Sequence, residues 1–261
     1  MADLDLAQRL CGLDVHVWAV SLDTSALCVR ELSSTLSPDE RNRAESFAFE
    51  HLRRRFSVSR GLLRTFLAMY LAISPRLIEF SYGKYGKPSL PGLDRFQFNL
   101  AHSDDVAVYA FALDCKLGID IERIRNMTDT GAVARHFFSA EEAADLESVE
   151  SSQRLDSFFA CWTRKEAYIK ATGEGLSAPL HAFRVALRPS EAPSFLHIDG
   201  NTSEAQSWSL YSLRPNDGYV GALAFRGRRN LRLSSCQQSQ YVLANVANPD
   251  TFLSHHLKTA I

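Results

Sequence analysis

The sequence predicts an α+β protein built from two units of similar size. Three observations lead there. Strand-like and helix-like stretches recur on both sides of a midpoint near Cys115. One long helical run falls in each half, over 51–73 and 154–172. The 261 residues, 46 % apolar and 23 % charged, have the size and composition of a globular chain with room for two modest cores. The expected division is 1–115, 116–229 and a polar, amide-rich, loosely attached tail over 230–261.

Taken in order, residues 16–22 alternate with β-rich types and read as a strand. Ser37-Pro38-Asp39-Glu40 is a helix start: serine caps, proline takes the first helical position and the acid completes a capping box. That helix is expected to run to about Phe49. The helix over 51–73 carries Phe56, Leu63, Phe66, Leu67 and Tyr70 at helical spacing and stops before Pro75. A short strand over 78–82 leads into a loop over 83–91 with two glycines, two prolines and two lysines. Strands are expected over 96–100, 106–113 and 117–122. Ser139-Ala140-Glu141-Glu142 is a second capping box. The helix over 154–172 ends at Gly173 and Gly175, and strands follow over 183–187, 207–213 and 219–225.

Net charge is −1, from 29 basic and 30 acidic residues, so no bulk charge points to nucleic acid or to a membrane surface. Five widely spaced cysteines without a C-x-x-C argue against a zinc site or a disulfide framework and fit reduced thiols in the cytoplasm. The acidic start at Met1-Ala2-Asp3-Leu4-Asp5 is unlike a signal peptide, and no apolar run reaches about 20 residues. Asn201-Thr202-Ser203 is a glycosylation triplet without a secretory signal, and His255-His256 lacks companion ligands.

The chemistry concentrates in a few places. In Gly118-Ile119-Asp120-Ile121-Glu122 a strand pleat sends the isoleucines to one face and both carboxylates to the other. A hard cation such as Mg2+ suits paired carboxylates; a solvated acidic strand face gives the same pattern. In the second long helix, Glu166 falls within the apolar arc of Phe158, Phe159, Trp162 and Ile169, so it needs a partner. Lys170, one turn on, is one candidate; a metal shared with Asp120 and Glu122 is the other. The glycines and lysines of Tyr82-Gly83-Lys84-Tyr85-Gly86-Lys87-Pro88 suit phosphate or a plain turn. His102 follows a strand, and Arg53, Arg54, Arg55 and Arg60 form a basic helix face; both are as readily structural.

Combined and in this order, these stretches resemble the 4'-phosphopantetheinyl transferases. The family's paired motifs are G-(I/V)-D-(I/V)-E and, some forty residues on, W-x-x-K-E-(A/S)-x-x-K. They match Gly118 to Glu122 and Trp162 to Lys170, with Gly173-Glu174-Gly175-Leu176 continuing the second. Gly86-Lys87-Pro88 and Asn99-Leu100-Ala101-His102-Ser103 sit where the family has G-K-P and N-(I/L)-S-H-S, with Ala101 departing from the usual serine. Tyr219 to Ala224 looks like its closing strand. The length resembles the long, monomeric, surfactin-synthetase-activating type, which implies two similar subdomains related by a pseudo-two-fold axis.

The resemblance implies transfer of the 4'-phosphopantetheine arm of coenzyme A to a serine of apo acyl, peptidyl or polyketide carrier proteins, releasing 3',5'-ADP. It implies Mg2+, with Mn2+ as an alternative ion, on Asp120, Glu122 and Glu166. It places Lys170 on the pyrophosphate and Lys84, Lys87, His102, Arg55 and Arg60 around the nucleotide end of coenzyme A. Glu166 is the first candidate for the base that takes the serine proton, and Glu142 the second. A coenzyme A-binding scaffold without activity and a Mg2+-dependent phosphohydrolase are the competing readings.

Overall fold

The structure is a computed structural model that describes residues 10, 13–175, 178–188, 191–236 and 258–259. Among the described residues the first element is strand β1 (Asp14–Ser21), then helices α1 (Ala26–Ser33), α2 (Pro38–Glu45) and α3 (Glu50–Leu71). The short strands β2 (Ser81–Tyr82) and β3 (Pro88–Ser89) pair across the glycine-lysine turn. Strands β4 (Phe96–Ser103), β5 (Val106–Leu113) and β6 (Leu117–Arg123) follow. The second half carries α4 (Thr130–Phe137), α5 (Ala140–Ser148), α6 (Ser151–Thr172), β7 (Phe183–Val185), β8 (Phe195–Ile198) and α7 (Thr202–Gln206). It closes with β9 (Trp208–Leu213), β10 (Tyr219–Arg226), β11 (Asn230–Cys236) and β12 (Lys258–Thr259). The mixture of helix and sheet in both halves is the α+β class the sequence predicts.

Two larger sheets organise these elements, beside the two-stranded pairs β2-β3 and β7-β8. One has the order β12-β11-β1-β5-β4 and the other β6-β10-β9. β5 is buried along its whole length because each of its faces meets apolar surface. Ala107, Tyr109, Phe111 and Leu113 pack under α3 with Leu62, Phe66 and Tyr70. Val106, Val108, Ala110 and Ala112 turn the other way and share a core with Ile119, Ile121, Leu223 and Phe225 of the second sheet. A period of two thus makes β5 the common wall of two cores. A third core lies under α6, between that helix and the outer face of β10.

Gly118 fixes how α6 lies on β6. A Cβ at this position would stand 2.2 Å from the carbonyl oxygen of Ala167 and 2.3 Å from the backbone nitrogen of Ala171. Those are backbone atoms of the helix, so no rotamer change can relieve them. Helix α6 ends at Gly173, which adopts the left-handed backbone (φ 80°) that closes it.

Residues 230–236, expected in the loosely attached tail, form a strand. β11 pairs in parallel with β1, Asp14 opposite Asn230 and Val20 opposite Cys236. Without it β1 would present an open edge. Leu231 enters the core between the sheets, and the buried Asp14 carboxylate accepts from Asn230 Nδ2 and Arg232 Nε. Helices α1, α4 and α7 and strand β8 do not show in the periodicity. Each is short, and the helices stand on local caps, such as Ser25 accepting from the Cys28 amide and Asp129 from that of Ala132. Asn201 of the glycosylation triplet caps α7 through the Glu204 amide. The acidic start at residues 1–5, Leu176 and His255-His256 lie outside the described residues. Among the described residues no helix is long and apolar enough to cross a membrane.

Two outcomes follow. Gly118→Ala forces α6 off β6 and lowers stability by about 2–3 kcal/mol, the ordinary cost of overpacking a tight contact; urea unfolding measures it. His16, buried with Nδ1 2.8 Å from the Tyr70 hydroxyl, has its pKa pushed down to about 4 by burial, with Asp14 opposing. Between that value and its unfolded value near 6.5 the unfolded chain binds a proton the folded chain does not. Stability is therefore complete above the unfolded value and is lost as pH falls through this window, at about 1.4 kcal/mol per pH unit. The loss is smaller in a His16→Gln variant, read from urea unfolding at pH 7 and pH 5.

Candidate active site

The site lies where α6 crosses β6. The pleat of β6 points Asp120 and Glu122 at the helix, as the alternation predicts, and the turn of α6 brings Glu166 and Lys170 to meet them. Lys170 Nζ stands 2.6 Å from Asp120 Oδ1. Glu122 Oε2 accepts from Ser103 Oγ at 3.0 Å. Asp120 Oδ2 and Glu166 Oε1 are buried without a hydrogen-bond partner.

Three carboxylates close together in a partly desolvated place repel one another. Glu166 is pushed up to about 7, first by burial, then by Asp120 and Glu122, with Lys170 opposing. Burial also raises Asp120 against the pull of Lys170, and burial with the charge of Asp120 raises Glu122. One ammonium therefore offsets only part of the repulsion among these three acids. The orphaned oxygens and the unbalanced charge fit a hard divalent cation, which takes oxygen ligands. Among the described residues no group of three or more ligating side chains stands close enough to form a finished metal cage.

Two hollows meet at this cluster and share Leu100, His102, Glu166 and Lys170. The smaller, about 460 Å³, also takes in Asp120, Glu122 and Trp162. The larger, about 960 Å³, runs away between the halves past Arg60, Tyr82, Tyr85 and Lys87. Burial lowers His102, and the charges of Lys170 and Arg55 add to the effect. The larger hollow has the dimensions of a small-molecule cleft.

The other expected residues distribute unevenly. Arg60 lines the large cleft, with its guanidinium 4.1 Å from the Phe80 ring centroid and hydrogen-bonded to Glu40 and the Tyr82 hydroxyl. Lys87 also lines it, but its ammonium is spent on the carbonyl oxygens of Lys170 (2.6 Å), Leu117 (3.1 Å) and Ala171 (3.4 Å). Arg55 is bound to Asp23 and Asp104 and lines neither hollow. Lys84 is exposed over the Tyr85 ring and lines neither hollow.

Glu142 is not brought to the site. It is completely buried, accepts from the Ser139 and Val185 amides, and pairs with Lys165 at 2.7 Å. A base must reach the proton it takes, so the second candidate is a structural residue. Sequence reasoning missed Ser103 and Asn99 as supports of β6, and Phe80 and Glu40 as the seat of Arg60. For Ser103 and Asn99 the signal is their place on either side of His102. For Glu40 only the capping box marks it, and that bond is present as well, from the Ser37 amide at 2.9 Å.

The chain belongs to the 4'-phosphopantetheinyl transferase superfamily, which residues 116–224 match. Residues 24–113 match the 4'-phosphopantetheinyl transferase N-terminal family. It is a transferase of that class. The 4'-phosphopantetheinyl transferase HetI of Nostoc sp. is 40 % identical over 82 % of this chain and 88 % of its own length. The 4'-phosphopantetheinyl transferase Sfp of Bacillus subtilis is 32 % identical over 65 % of this chain and 70 % of its own. A third relative, psf-1 of Bacillus pumilus, is 36 % identical over 61 % and 67 %.

The buried pair gives a direct outcome. Glu142→Ala leaves the Lys165 ammonium uncompensated in the interior and lowers stability by about 3–5 kcal/mol. Urea unfolding checks this.

Proposed function

We propose that the chain moves the 4'-phosphopantetheine arm of coenzyme A onto a serine of apo carrier proteins, with Asp120, Glu122 and Glu166 holding Mg2+ or Mn2+. The observation that carries the reading is the convergence of these three carboxylates, two with orphaned oxygens, on Lys170 at the mouth of a cleft. When bound, the cation neutralises charge that grows on phosphate oxygens during transfer. The chain's own residues do the rest. Lys170, already oriented by Asp120, offers its ammonium to the pyrophosphate. His102 and Arg60 line the wall along which the nucleotide end lies. Glu166 is the acceptor for the serine proton. The serine oxygen then bonds to the phosphorus next to pantetheine, and 3',5'-ADP leaves.

The reading extends to acyl, peptidyl and polyketide carriers as partners. It takes the protein as a monomer in the cytoplasm, with neither nucleic acid nor membrane as partner; the near-zero net charge and the scattered cysteines support this.

Intact-protein mass spectrometry of an apo carrier incubated with the protein, coenzyme A and Mg2+, with a chelator control, tests the whole reading. A metal-dependent gain of one phosphopantetheine on the carrier is expected. Release of phosphopantetheine without a carrier makes the protein a hydrolase, and coenzyme A binding without turnover makes it a scaffold. Asp120→Ala is expected to cut transfer by about 100-fold or more while the thermal midpoint holds, because the lost group is a desolvated acid. Near-normal turnover by that variant overturns the metal assignment.

A further inference from the structure

Lys87 belongs to the N-terminal half, yet its side chain ends inside the C-terminal half. Two of its three acceptors, the carbonyls of Lys170 and Ala171, lie in the last turn of α6, where carbonyls have no partner within the helix. The third, that of Leu117, belongs to the first residue of β6. A cation at a helix C-terminus also meets the negative end of the helix dipole. Burial brings this ammonium down to about 8, with Lys116 adding to the effect, so it is still protonated at neutral pH. An ammonium has three N–H donors, and each here has a carbonyl. No donor is left over for a phosphate.

Two more side chains from the same half hold β6 further along. Asn99 Oδ1 accepts from the Ile119 amide at 2.8 Å. Ser103 Oγ accepts from the Arg123 amide at 3.1 Å while donating to Glu122. The strand that carries two of the carboxylates is therefore gripped at its start, middle and end from across the boundary between the halves.

We propose that Lys87 is a positioning residue: it fixes the end of α6 to the start of β6, and so sets Lys170 and Glu166 against Asp120, without itself ligating phosphate. The kinetic part rests on the transfer reading above; the structural part stands without it.

The test uses Lys87→Met, which keeps most of the apolar stem and removes every donor. Hydrogen–deuterium exchange of the full chain, free of metal and coenzyme A, is expected to speed up within residues 117–123 and 166–175 and to stay unchanged in α3 and β5. With Mg2+, coenzyme A and an apo carrier, kcat is expected to fall about tenfold while KM for coenzyme A moves by less than about threefold. Lys87→Arg, which keeps donors for the same carbonyls, recovers the exchange protection and most of kcat. Unchanged exchange, or a KM for coenzyme A raised about tenfold with kcat intact, overturns the proposal and returns Lys87 to the phosphates. If the wild-type chain modifies no carrier, the transfer reading fails by itself and the exchange measurement alone decides the role of Lys87. Lys87→Gln, with a shorter neutral donor, takes the place of Lys87→Met if the latter does not fold, with loss of protection in the same two segments as the required result.

Discussion

The contact of α6 with β6 at Gly118 is the constraint on which the site depends. With no side chain at 118, the helix backbone at Ala167 and Ala171 lies directly on the strand. Two simple periods then do the rest. The strand pleat repeats every second residue and aims Asp120 and Glu122 at the helix. The helix repeats every 3.6 residues, so Glu166 and Lys170, one turn apart, face back. The cost is electrostatic: three acids in a place poor in water, with one ammonium among them. That imbalance is what a cation and an anionic substrate together would relieve.

Helix α6 also shows that neighbours in a motif need not share a job. Lys165 and Glu166 are adjacent, but a step of about 100° sends them to different surroundings. Lys165 turns inward, donates to the carbonyls of Leu180 and Phe183, and pairs with Glu142. Glu166 turns to the cleft. The inward pair locks α5 and the start of β7 onto the helix, and so holds the back of the helix whose front carries Glu166 and Lys170. A fully buried ion pair with all its hydrogen bonds made is chiefly a device of geometry, since desolvation takes back much of its attraction.

The two halves depend on each other through β5 and through the ends of the chain. Apart from Ala107, β5 uses large residues toward α3 and smaller ones toward the second sheet, so both cores close on a single strand. β11 returns the chain to β1 and buries Leu231 in the core between the sheets. Lys87, Asn99 and Ser103 cross the same boundary near the carboxylates. The cleft therefore lies at a junction held by packing on one side and by hydrogen bonds on the other.

Much of this was legible in the sequence. The pleat of residues 118–122, the placement of Glu166 within an apolar arc, the capping boxes at Ser37 and Ser139, and the helix stop at Gly173 are all set by local periods and local chemistry, which a sequence records directly. Which partner each charged group takes was not legible. Glu142 reads equally well as a cap and as a base until its burial against Lys165 is seen. Lys87 reads as a phosphate ligand until its ammonium is found on three carbonyls from residues 30 to 84 positions away. Residues 230–236 read as a tail, because a polar segment gives no sign that an open strand edge awaits it. The sequence alone determined the elements and the chemical types available. Only the tertiary structure decided the pairings, because burial and long-range contact, not local spacing, set which charges must be satisfied and by what.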